Sequence, residues 1–116
     1  MKLNQYQERA VESLRWYPSW IDATTGLVMG LASRAIKLMD HFRSVRDHNH
    51  DFRKEATKEV LGDILWYTAA VAEMCHLNLE DCAQTNLDKI KRTYPSGFSM
   101  EQYMRHNKQR RASRCR

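Results

Sequence analysis

The sequence is short of the residues that interrupt helices. It has two prolines and four glycines in 116 positions, fewer than a chain of strands and tight turns requires, and an all-α fold is expected. It has three cysteines, Cys75, Cys82 and Cys115, odd in number and without CxxC spacing. That argues against a disulfide framework and a structural zinc site. No stretch approaches the roughly 18 uncharged apolar residues of a membrane span, and the opening MKLNQYQERAVE is polar, unlike a signal peptide. A soluble, cytoplasmic protein that avoids membranes is the expectation. Also missing are a GxxxxGK[ST] loop, an HExxH helix and a nucleophile beside a base.

Charge is present but unevenly placed. The formal net charge is +5, from 19 basic and 14 acidic residues. Six of the basic residues, Arg105, Lys108, Arg110, Arg111, Arg114 and Arg116, follow residue 104, which leaves 13 basic against all 14 acidic residues before it. A nearly neutral body with a basic end is not the footprint of a dedicated nucleic-acid-binding domain. The tail reads either as a solvated end or as an arm that contacts nucleic acid or protein.

Hydrophobic periodicity divides the chain into helices. The first is expected from Asn4 to Tyr17, with Tyr6, Ala10, Val11 and Leu14 on one side and Pro18 ending it. The second covers 24–46 and the polar segment RDHNHD at 46–51 separates it from the third, Phe52 to His76. The centre of that third helix is apolar nearly all round, which suits the middle of a bundle. Asn78 opens a fourth helix reaching Tyr94, and Ser99 with Gln102 caps a short last one. The expected organisation is a helical domain over residues 1–98, then a short helix and flexible basic tail over 99–116.

Within KEVLGDILWYTAAVAEM, residues 58–74, Glu59 and Asp63 lie four apart and share a helix face. Magnesium is commonly held by one or two carboxylates plus water and substrate phosphates, so two acids suffice to raise a metal site. Glu59 reads equally well as a surface partner of Arg53, Lys54 or Lys58. Asp63, at the start of the apolar stretch, requires a cation, a metal or hydrogen-bond donors near it, because a buried, unpaired carboxylate is costly. On the fourth helix Asn86 and Lys89 share a face suited to phosphate. Trp66 and Tyr67 are core residues or platforms for a base. His48 and His50 form an HxH in a polar loop, without the ordered surroundings that hold a metal ligand in place.

These segments together resemble the MazG-like all-α nucleoside triphosphate pyrophosphohydrolases over roughly residues 3–98. The likeness begins in LNQYQERAVESLRWYP and is strongest in EVLGDILWYTAAVAEMCHLNLEDCAQTNLDKIKRTYPSGF. There the family shows Glu-Leu-Gly-Asp, a Leu-Trp-Tyr run, a turn, and an Asn-x-x-Lys helix ending in Tyr/Phe-Pro-x-Gly-Phe. The resemblance implies a four-helix bundle, a homodimer or homotetramer, and cleavage of nucleotides between the α- and β-phosphates to a monophosphate and pyrophosphate. It also implies magnesium held by a Glu-x-x-Glu pair on the second helix and a Glu-x-x-Asp pair on the third.

The chain departs from that pattern. Gly30 and Ser33 stand where the first pair belongs, Val60 stands at the third position with Glu59 one residue out of register, and Asp63 alone is retained. No Asp or Glu occurs from Ala23 to Met39. Gly30 in mid-helix implies either close packing or a relaxed ligand position. With Arg34 and Lys37 nearby, the expected function is binding of a nucleotide or other phosphorylated small molecule without efficient catalysis, as a sensor, a sequestering protein or an inactive subunit. Two alternatives stand beside it: a weak magnesium-dependent pyrophosphohydrolase, and a dimeric interaction scaffold using the basic tail.

Overall fold

The computed structural model describes residues 1–14, 19–97 and 99–114. They contain five helices and no strand: α1 (Leu3–Val11), α2 (Trp20–His48), α3 (Lys54–Met74), α4 (Leu79–Thr93) and α5 (Met100–Arg114). The all-α expectation therefore holds. The chain forms two compact units, Met1–Glu80 and Asp81–Arg116.

Helix ends differ from those expected, for local reasons. α1 stops at Val11, and Ser13 folds back to donate its hydroxyl to the Ala10 carbonyl at 2.8 Å. The expected continuation to Tyr17, with Trp16 and Pro18, lies outside the described residues from 15 on. α2 starts four residues early because Ser19 is an N-cap whose Oγ accepts the Asp22 N–H at 3.2 Å, with Asp22 favourably placed in the first turn. It runs on to His48, into the segment expected to be a turn, and ends at Asn49 in the left-handed conformation, φ 53°. α3 ends in a Schellman arrangement: His76 has φ 57°, and the Leu77 N–H reaches the Ala72 carbonyl at 2.8 Å. α5 is a 15-residue helix rather than a short one. Ser99 Oγ accepts the Gln102 N–H at 3.1 Å, and Arg105 pairs with Glu101 one turn away.

In the first unit α3 packs against both α2 and α1. Its buried residues are Val60, Ala69, Ala70 and Ala72, and the alanines let neighbouring backbones approach. Ala69 and Ala72 join Leu79 in a core against which Tyr6 and Ala10 pack. Burial there pushes the Tyr6 phenol above its ordinary pKa. An apolar helix of this kind is more than one small bundle easily covers, and Leu61 and Leu65 each keep 47% of their surface exposed.

The joint between α1 and the start of α4 is polar. Gln7, 5% exposed, donates from Nε2 to the Leu77 carbonyl at 2.9 Å and to Glu73 Oε2 at 3.1 Å. Its Oε1 accepts the Leu79 N–H at 2.8 Å, and Asn4 Oδ1 accepts the Glu80 N–H at 3.1 Å. Two of the first N–H groups of α4, which have no partner inside their own helix, are thus capped by α1.

Candidate functional site

The seam between α2 and α3 carries most of the residues that the sequence singled out. Asp63 is half-exposed, with 49% of its side chain accessible, rather than enclosed. Its Oδ2 lies 3.5 Å from Nε of Arg34, whose side chain is 37% accessible. The cation that Asp63 required is therefore an arginine from the facing helix. The guanidinium fork carries five N–H donors, more than one carboxylate oxygen uses. Lys37 is exposed one turn further along α2.

The three positions where the resemblance implied further carboxylates have different surroundings. Gly30 lies under the ring of Tyr67. A Cβ built on Gly30 falls 2.6 Å from Cζ and 2.9 Å from Oη, with Cε1 nearer still. Of the two explanations for a mid-helix glycine, close packing is the one observed. A glutamate at position 30 requires the Tyr67 ring to swing away. Val60 is 7% exposed and belongs to the core, while Ser33 and Glu59 are exposed. A magnesium ion held by four carboxylates does not fit these residues: one position is filled by a ring, one is buried and apolar, one is a neutral hydroxyl, and the acid that remains faces a guanidinium. Among the described residues no group of three or more His, Cys, Asp or Glu side chains is gathered to hold a metal. His48 and His50 have their ring centroids 6.1 Å apart, and both are exposed.

Trp66 and Tyr67 meet edge to face at 5.1 Å. Trp66 is tied to the end of α1, its Nε1 donating to the Ala10 carbonyl and to Ser13 Oγ, each at 3.1 Å. With Ser19, Asp22, Ala23, Gly26 and Leu27, both rings border an open groove of about 620 Å³, large enough for a planar ring system. A second groove of about 270 Å³ lies toward the α2–α3 turn, lined by Lys37, His41, His50, Arg53 and Val60 among others. The turn itself is held by Arg53, whose N–H donates to His41 Nε2 at 3.3 Å, and by the mutual packing of His41, Phe42 and Phe52. Arg34, Asp63 and Tyr67 thus meet along the seam, Lys37 opens on the smaller groove and Trp66 on the larger. Asn86 and Lys89 lie on the exposed surface of α4 in the other unit.

Sequence reasoning missed Gln7. The available signal was its position on the apolar stripe of α1, beside Tyr6 and three residues before Ala10. It also separated Arg34, read as a phosphate contact, from Asp63, read as a metal ligand. Spacing within a helix does not say which residue of another helix lies opposite.

Residues 34–98 match the MazG nucleotide pyrophosphohydrolase domain. The match spans more than half of the chain and includes Arg34, Asp63, Trp66, Tyr67 and Lys89. The chain belongs to this family of nucleotide-directed helical proteins. No curated protein and no solved structure matches it. No helix among the described residues is long and apolar enough to cross a membrane.

Proposed function

We propose that this family member binds a nucleotide or a related phosphorylated small molecule at the α2–α3 seam, without a carboxylate-held magnesium ion and without efficient hydrolysis. It would then serve as a sensor, a sequestering protein or an inactive subunit. The observation that carries the reading is the Arg34–Asp63 ion pair at 3.5 Å, which puts a cation beside the one acid that the resemblance assigns to metal. Asp63 orients the guanidinium, whose remaining donors match a phosphate oxygen pair. Lys37 adds a second positive charge on the same helix. The ring of Tyr67 over Gly30 supports the reading further, since it fills the room a first glutamate would use. Asn86 and Lys89 enter from the resemblance alone.

We also propose that the protein acts as a homodimer or homotetramer. Val28, Met29, Ile36, Met39 and Phe42 on α2 and Leu61 and Leu65 on α3 are exposed, apolar side chains that a second copy of the chain would cover. Sedimentation as a strict monomer contradicts this part.

The test is a panel of nucleotides screened by thermal shift, with pyrophosphate release followed in parallel. The reading predicts stabilisation by at least one nucleotide, reduced in Arg34→Gln, with no release above background. Magnesium-dependent pyrophosphate release that Asp63→Ala abolishes replaces it with the weak-enzyme reading. Stabilisation by no nucleotide removes both.

A further inference from the structure

α5 stands apart from the nucleotide reading and carries an inference independent of it. The helix contains five cations and one acid, and no residue of it is buried. The acid, Glu101, is already paired with Arg105 at 2.5 Å. None of the ion pairs among the described residues uses Lys108, Arg110, Arg111 or Arg114. Lys108, Arg111 and Arg114 follow one another at i,i+3, and Arg110 and Arg114 at i,i+4. At about 100° per residue these four fall within an arc of about 160° on one side of the helix. Arg105 lies outside that arc. His106, also outside it, meets Tyr94 edge to face at 5.6 Å.

Four like charges on one face repel one another and weaken an isolated helix. No protein acid among the described residues relieves them, so the face is complementary to an external polyanion. A lipid surface is the poorer match. The large apolar residues of α5, Met100, Tyr103 and Met104, lie in its first five residues, and the basic stretch has only Ala112, so no apolar face runs beside the cations to enter a bilayer. Three of the four cations are arginines, whose planar fork pairs with phosphate oxygens in two-point contacts. An α-helix about 10–12 Å across also fits the DNA major groove, about 12 Å wide.

We propose that α5 is a nucleic-acid-binding helix that holds the phosphate backbone of a duplex through Lys108, Arg110, Arg111 and Arg114, without reading its sequence.

The experiment is fluorescence anisotropy of the full chain with a labelled DNA duplex of about 20 base pairs, titrated between about 50 and about 200 mM salt. Four phosphate contacts predict a slope of log K against log salt of about −3.6, hence about 150-fold weaker binding across that range. Arg111→Gln alone is expected to flatten the slope by about 0.9, and the joint change of all four cations to Gln to abolish binding. Arg105→Gln, outside the arc, is expected to shift the affinity by less than about twofold, since it removes none of the four contacts. Circular dichroism of each variant checks that α5 remains helical. No binding at the lowest salt overturns the proposal, as does a slope unchanged in the fourfold variant. So does competition by phosphatidylserine vesicles or polyglutamate as effective as competition by unlabelled duplex.

Discussion

The α2–α3 seam and α5 handle charge in opposite ways. In the seam a single acid, Asp63, is answered by a single facing cation, Arg34, and the room beside them is filled by the Tyr67 ring. In α5 four cations share a face with no acid to answer them, and none of the helix is buried. The first region pairs its charges within the chain, and under the proposed function its guanidinium donors meet a small ligand. The second is unsatisfied within the chain and suits an extended anion. Net charge over the whole chain hides this, because the body before residue 105 is close to neutral.

Substitutions that break the packed unit should separate it from α5 most clearly. Gln7→Leu leaves the Leu79 N–H and the Leu77 carbonyl without their partner in a buried joint, and a loss of about 3 kcal/mol in denaturant unfolding is expected. The fourfold glutamine variant of α5, which removes only repulsion between like charges, should not lower the unfolding midpoint of the same protein. A comparable loss in both contradicts the contrast.

Next in size is a pair of glycines one turn apart on α2. Gly30→Ala gains helix propensity but drives a methyl into Tyr67, for a net loss of about 1–2 kcal/mol. A Cβ at Gly26 meets nothing within 4 Å, so Gly26→Ala should stabilise by about 0.5–1 kcal/mol. Opposite signs, read as shifts in thermal midpoint, mark where the seam is filled and where it is open. The smallest effect is expected for the ion pair. A double-mutant cycle of Arg34→Gln with Asp63→Asn should give a coupling of about 0.2–1 kcal/mol, fading with salt, as befits a partly exposed pair.

Much of the fold was legible in the sequence because helix signals are local. The polar break after α2, the start of α4 after Asn78 and the Ser99 cap were all readable. So, in retrospect, was Ser19 with Asp22, an N-cap signature that moves the start of α2 to Trp20. What escaped depends on partners distant in sequence. Gln7 became structural only through residues about 70 positions away. Gly30 required its small size because of Tyr67, and Asp63 found its cation on another helix. The exposure of Leu61 and Leu65 is of the legible kind, since a helix apolar nearly all round has more apolar sides than one small bundle covers.

The central claim is that the seam takes phosphate through Arg34 and its neighbours instead of through a carboxylate-bound ion. The most direct measurement is the affinity of the responding nucleotide, titrated calorimetrically in magnesium and again in chelator. The account predicts the same affinity within about twofold in both and a marked loss in Arg34→Gln, because a guanidinium needs no metal to bind phosphate. Binding that appears only with magnesium, and survives Arg34→Gln but not Asp63→Ala, would contradict it.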